Sequence, residues 1–505
     1  MRTKMAFYTL ITNLAHQLVY ALIGLILPRL FITVYGSAIN GLMLSIRQFL
    51  IFLNIVEAGI GRAAITSLLK PIAANDKNAT NGILSAVRLL YIRTGYIFAS
   101  LVVILAIIYP FLIHGQVSYH TSFFLTLLLG LSGFVDFFII GKYKVLLIAD
   151  QRGYVYNTIL IISLLIHAIS SVILIKLGWP ILLVNGIATF LAASRALLMI
   201  LYAKKNYSHV SYNVTPNTNG IAQRRDVLFH QLATLVGYNA PVIIITAFLG
   251  LKEVSVFTTY NMVFSAVTML VVSFSDALFA GIGDLLVRGE KQRVIDVFNT
   301  FEFVYYAIIS WAYTTALVLI VPFISIYTAG VSDAEYIRPS LAILLVISGV
   351  VTNCRMPSST LVNSAGHYKE TRNRAIAEAI INVAASLTFV HIWGVEGVVI
   401  GSICAYTYRT IDLIIYGSRK ILDASIKPTL YKLLTNSGLA IIAFISIQWI
   451  FTIDPKNLYE WFGYAFIISL WNIGIIVLGN FIVHPKMFKG VYLRGRLILA
   501  REKGL

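Results

Sequence analysis

ITNLAHQLVYALIGLILPRLFITVYGSAINGLMLSIRQFLIFLNIVEAGIGRAAI, residues 11–65, holds two long apolar runs on either side of Gly36, with four charged side chains in all. Each run approaches the roughly 20 residues a helix needs to cross about 30 Å of hydrocarbon. The rest of the chain has the same texture. Over 505 residues the mean hydropathy is +0.84 and only 12% of residues are charged. Such a composition suits a bilayer and not a soluble globule. Fourteen spans are expected, near 10–32, 39–60, 91–113, 121–141, 154–176, 180–203, 227–249, 255–280, 301–327, 338–362, 373–392, 395–416, 430–452 and 461–482. Period-2 alternation is absent, so a barrel is not indicated, and helices are the other way to satisfy a backbone in lipid. The short links at Gly36 and Gly394 read equally as breaks inside longer helices.

Lysine and arginine alternate between the connections. One set carries Lys70 and Lys77, Lys142, Lys144 and Arg152, Lys204, Lys205, Arg224 and Arg225, Arg288, Lys291 and Arg293, and Lys369, Arg372 and Arg374. Arg419, Lys420, Lys427 and a basic tail, 483–505, continue it. The other set offers little beyond Lys176, Lys252, Arg338 and Lys456. Retention of positive loops inside places both termini in the cytoplasm and requires an even number of spans, fourteen or twelve, or thirteen with a re-entrant loop. The net charge of +18 is therefore topology and contact with anionic lipid, and no nucleic-acid partner is expected. The first apolar run lacks a small-x-small cleavage site and is expected to remain as span one. Cys354 and Cys404 both fall in spans and form no disulfide framework or metal site.

The chain echoes itself. His16-Gln17-Leu18 returns as His230-Gln231-Leu232, 214 residues on, and Pro28 and Gly36 answer to Pro241 and Gly250. Ala58-Gly59-Ile60-Gly61 returns as Ala280-Gly281-Ile282-Gly283. A duplicated set of six helices gives parallel repeats, with a path at their interface. The expected division is a first lobe over 1–203, a polar linker over 204–226, a second lobe over 227–416 and two further spans within 417–482.

Charges at membrane depth are the candidate functional groups, because each costs a few kcal/mol unless it faces a bundle interior or water. Arg47 sits two turns inside span two, seven residues from Asn54, so these two share a helix face. Arg355 lies between Asn353 and Pro357, where the proline opens the backbone ladder. Arg29 and Arg409 add to an excess of guanidinium, whose planar fork suits phosphate. These four are the candidates for an anionic headgroup. Glu57, Asp136 and Asp276, with Asn54, are candidates for the polar cavity or for proton or sodium coupling, and the acids serve equally as partners of the arginines. His16, Gln17, His230 and Gln231 are read as gate or packing residues, and their spacing does not make a zinc site. Abundant tyrosine, 28 residues, is consistent with interfacial belts and with stacking on sugar. No Walker A, GxSxG, HExxH or paired-cysteine unit occurs, so neither an ATP-driven pump nor a hydrolase is expected, and no cofactor is called for.

Six plus six plus two spans resemble the multidrug/oligosaccharidyl-lipid/polysaccharide exporter superfamily. Pro28-Arg29, Tyr35-Gly36, Asn40-Gly41, Glu57-Ala58-Gly59-Ile60-Gly61, Ala63-Ala64 and Ala149-Asp150-Gln151 are similar to the bacterial polysaccharide-unit flippases within it. That resemblance implies a V-shaped, MATE-like pair of lobes working by alternating access in the bacterial cytoplasmic membrane. It implies an undecaprenyl-pyrophosphate-linked oligosaccharide as substrate, and a polymerase and glycosyltransferases as partners in surface polysaccharide synthesis. Two other readings stay open: a multidrug or metabolite antiporter of the same fold, and a scaffold that moves nothing.

Overall fold

A glycine in an extended, positive-φ conformation divides the first helix. Helix α1 runs over Arg2–Leu53, and Gly36 inside it has φ 82° and ψ 169°, outside helical geometry. A side chain would be strained there, and only glycine adopts this angle freely. The computed structural model describes residues 2–57, 60–113, 115–217, 237 and 239–502. Among these residues every regular element is a helix.

The chain continues through α2 (Ile60–Ala73), α3 (Lys77–Leu112), α4 (Tyr119–Val135) and α5 (Gly141–Ala149), the last two joined by a π turn at Asp136–Ile140. Then come α6 (Gly153–Lys176), α7 (Ile181–Ala192), α8 (Ser194–Asn206) and the short α9 (Asn239–Phe248). Helices α10 (Leu251–Val287), α11 (Lys291–Tyr327), α12 (Pro339–Cys354), α13 (Met356–Ser364) and α14 (Tyr368–Tyr416) follow. A π turn then leads to α15 (Lys427–Ile450), α16 (Leu458–Val483) and α17 (Pro485–Glu502).

Eleven stretches of the described residues are long and apolar enough to cross a membrane. Two of them contain the breaks at Gly36 and Gly394 (φ 58°, ψ −130°), so each supplies two passes. Helix α9 lies where the seventh pass is expected, and the order is that of fourteen. The two least certain boundaries in the sequence are thus real breaks. Helix is also the only open-chain solution in lipid, because each N–H and C=O finds its partner within the segment.

The backbone records the duplication more clearly than the side chains do. Positive φ occurs at Gly36, Asn75, Gly115, Gln151 and Gly178, and again at Gly250, Gly289, Gly330, Gly366 and Gly394. Taken in order, these pair at offsets of 214 to 216 residues, one pair after each of the first five spans of a repeat. Asp423, beyond the twelfth span, is the one described residue with positive φ that has no counterpart. Five left-handed turns kept in register through two six-helix sets are the mark of parallel repeats.

Two compact units result, Met1–Thr258 with Gly330–Ala334, and Thr259–Ala329 with Glu335–Leu505. The first is packed around Leu42, Ile46, Ile60, Leu84 and Val145, all fully buried. The second buries the rings of Tyr305, Tyr306 and Tyr313 on α11. The stretch expected to link the halves, 204–226, is described as far as residue 217. It stays helical through Asn206 and then lies along α3, where Ser211, Val214 and Asn217 donate backbone N–H groups to Asn81, Ser85 and the Gly82 carbonyl.

Candidate functional site

Arg47 is carried by the second arm of α1, about 16 Å along the helix from Gly36. Its side chain is exposed and makes no hydrogen bond or ion pair among the described residues. Tyr20 and His167 lie within electrostatic range of it. Asn54, seven residues on, opens the 3-10 turn Asn54–Glu57 and is also exposed. Arg29 is half-buried, and its guanidinium likewise has no hydrogen bond or ion pair among the described residues. His16 stacks on Tyr20 with ring centroids 6.5 Å apart, and Gln17 beside it is half-buried. His230 and Gln231 lie outside the described residues, as does the side chain of Asp276.

The acids of the first unit are engaged elsewhere. Tyr91 donates its hydroxyl to Glu57 at 2.7 Å, and Lys144 approaches the same carboxylate at 3.7 Å. Asp136 opens the π turn and binds Arg195 of α8 at 3.0 Å. Arg195 also donates to the Ser132 carbonyl and hydroxyl at 3.0 and 2.9 Å. A π turn widens the helix by one residue, which brings the Asp136 side chain round towards α8. Glu57 and Arg47 are therefore not a pair.

In the second unit the arginines are compensated. Arg355 terminates α12 at the break before Pro357 and donates to Glu378 at 2.5 Å. Arg409 lies 3.6 Å from the other Glu378 oxygen and 2.7 Å from Asp412, which Arg374 holds at 2.5 Å. Arg355 and Arg409 are buried, and their carboxylates are nearly so. Among the described residues, Glu378 and Asp412 are shared by the three guanidinium groups of Arg355, Arg374 and Arg409. The Tyr406 ring faces Arg355 at 5.4 Å and the Tyr416 ring faces Arg374 at 4.9 Å, supplying cation–π contact.

Sequence reasoning passed over Glu378, Glu302 and Lys432. Lys432 and Glu302 are fully buried and 2.6 Å apart. Thr429 donates to both Glu302 oxygens, and Lys432 also reaches the Asn299 side chain at 2.8 Å. Glu302 and Lys432 stand at the expected edges of spans and so read as boundary charges. The structure buries them because α11 and α15 extend further than the apolar runs. A cavity of about 420 Å³ opens beside them, lined by Asn299, Tyr431, Lys432, His484 and Lys486 among others. Its buried cation is already neutralised by Glu302. No cluster of His, Cys, Asp and Glu fit for a metal occurs among the described residues.

No family model matches the sequence, and no curated protein matches it. Solved structures do. A structure of the lipid II flippase MurJ in an inward closed conformation aligns with a TM-score of 0.68 at 15% identity, covering 95% of this chain and 99% of that one. The fold is shared. An inward-facing multidrug resistance MATE transporter of the MOP superfamily aligns with a TM-score of 0.62 at 16% identity, over 84% of this chain and 99% of that one. The outward-facing form of such a transporter aligns with a TM-score of 0.54. The chain thus has the all-helical, multi-pass fold found in MOP-superfamily flippases and transporters, and these neighbours are not enzymes.

Proposed function

We propose that this protein is a flippase for an undecaprenyl-pyrophosphate-linked oligosaccharide, working by alternating access in a bacterial cytoplasmic membrane for surface polysaccharide synthesis. Both termini then lie in the cytoplasm, on the side of the basic loops. One observation supports the reading: Arg47 lies inside an apolar span and is exposed, and among the described residues its guanidinium has no hydrogen bond or ion pair, while Glu57 and Asp136 are bound to other groups. An uncompensated guanidinium is costly in that setting unless it serves an anion. Pyrophosphate offers the planar, multiply charged acceptor that a guanidinium binds in bidentate fashion. Arg29 stands ready for the same headgroup, whereas Arg355 and Arg409 would have to exchange their carboxylates for it.

The fold supports this assignment, since MurJ, whose structure aligns over most of the chain, is itself a lipid II flippase. The polyprenyl tail would remain in lipid while the sugars cross among polar side chains and tyrosines. A proton or sodium gradient would drive the cycle, with Glu57, Asp136 and Asp276 the acids able to respond to it. Polymerase and glycosyltransferases would be the natural partners.

Reconstitution separates the readings. In proteoliposomes the protein is expected to move a lipid-linked oligosaccharide between leaflets, read by access of a sugar-modifying enzyme added outside. Exchange of a soluble organic cation, with the lipid left in place, would instead identify an antiporter. A scaffold would move neither.

A further inference from the structure

The two repeats cap each other's helices. Gly36 and Gly250 hold equivalent left-handed positions, and each is followed by the first turn of a helix whose N–H groups lack intrahelical partners. After Gly36, the Ser37 N–H and hydroxyl donate to the Asp333 carboxylate at 2.8 and 2.7 Å. After Gly250, the Leu251 N–H donates to Gln116 Oε1 at 2.7 Å. Gln116 follows Gly115 and Asp333 follows Gly330, which are themselves an equivalent pair. Each repeat thus lends the loop after its third span to cap the second span of the other. Lys252 ties the two caps together by donating its ammonium to the Asp333 carbonyl at 2.8 Å.

All of these residues fall within one compact unit, Met1–Thr258 with Gly330–Ala334. Beneath the caps, Asn40 donates to Ser255 at 2.8 Å, and Ser45 shares a hydrogen bond with Thr246 at 2.6 Å. Both pairs are buried and both join the first repeat to the start of the second. There is no slack here: a Cβ on Gly41 would lie 1.8 Å from the Leu251 carbonyl oxygen.

We propose that Gln116, Asp333 and Lys252 form a latch that holds shut the face opposite the basic loops, and that releasing it opens that face. The inference rests on the alternating-access reading above, because only a cycle that separates the repeats at this end would break the caps. An Asp carboxylate at a helix start also meets the positive end of the helix dipole, so the Asp333 arm is the stronger.

The test uses the full chain in membranes with Cys354→Ala and Cys404→Ser, and Ser45→Cys as a probe at a position with no exposure. A membrane-impermeant maleimide is applied from the face opposite the basic loops. Labelling is expected to be slow in this parent and about tenfold faster when Asp333→Ala and Gln116→Ala are added together. Asp333→Asn, which keeps size and an acceptor oxygen, is the variant to use should the double substitution not fold, and about threefold faster labelling is expected of it. Labelling at the parent rate in a folded variant overturns the latch. The readout needs no substrate, so it stands or falls apart from the identity of the cargo.

Discussion

Arg195 and Arg409 stand 214 residues apart in the sixth span of their repeats, and each is bound by a carboxylate of its own unit, Asp136 at 3.0 Å and Asp412 at 2.7 Å. Each half thus carries an internally neutralised arginine in its sixth span. Arg47 has no such partner among the described residues, and that contrast separates a structural cation from one available to a ligand.

Glu378 holds the cluster of the second unit together, since it accepts from both Arg355 and Arg409. Glu378→Gln is expected to cost about 3–5 kcal/mol, as it removes a carboxylate that two buried guanidinium groups share. Arg374→Gln should cost much less, because Arg374 is 40% exposed and water screens it. Thermal unfolding in detergent compares the two, and equal losses would count against Glu378 as the keystone.

Lys432 and Glu302 form a fully buried pair. Lys432→Met alone is expected to lose about 3–5 kcal/mol, and Lys432→Met with Glu302→Gln to recover most of it. A double-mutant cycle in the same assay reads the coupling. Additive losses would show that the side chains act separately.

The Gly36 and Gly250 turns differ in room. A Cβ at Gly250 would meet Gln116 at 2.3 Å, whereas one at Gly36 would first meet Asp333 at 3.1 Å. Gly250→Ala should therefore destabilise more than Gly36→Ala, each by at least about 1 kcal/mol from the left-handed backbone alone. Conversely Gln151, at φ 60°, occupies the place that Gly366 fills in the second repeat. Gln151→Gly is expected to be neutral or mildly stabilising, and a large loss of stability would contradict the backbone argument.

His484, just beyond α16, lies against the rings of Phe303 and Tyr431. Burial first, and then the nearby Lys432 charge, lower its pKa below the ordinary 6.5. Between that lowered value and 6.5 the unfolded chain binds more protons than the folded one, so stability should fall as pH drops through this window. Unfolding measured from pH 7.5 to 5 should show a slope that His484→Gln reduces (a range set by the about 6.5 reference for histidine). An unchanged slope would show that the ring does not govern it.

Much of the architecture was legible in the sequence, because apolar length and basic alternation are direct physical requirements of a bilayer. The breaks at Gly36 and Gly394 were the hardest boundaries, since a one-residue conformational change leaves hydropathy almost untouched. The repeat was visible in four short echoes, whereas its fullest record is in backbone angles that no residue type dictates: Asn75 and Gln151 stand opposite Gly289 and Gly366. Which arginines are compensated was not legible. Glu378 and Arg355 are 23 residues apart and meet only through the packing of α12 against α14. Likewise Gln116 and Asp333 sit in polar loops, and nothing local shows that they cap helices 135 and 296 residues away.

The central claim is that Arg47 holds a pyrophosphate headgroup, and leaflet exchange in proteoliposomes tests it most directly. With Arg47→Gln, transfer of a lipid-pyrophosphate oligosaccharide should fall by about a hundredfold while folded protein remains in the vesicles, and Arg47→Lys should restore part of it. Transfer by Arg47→Gln at the wild-type rate would contradict the account.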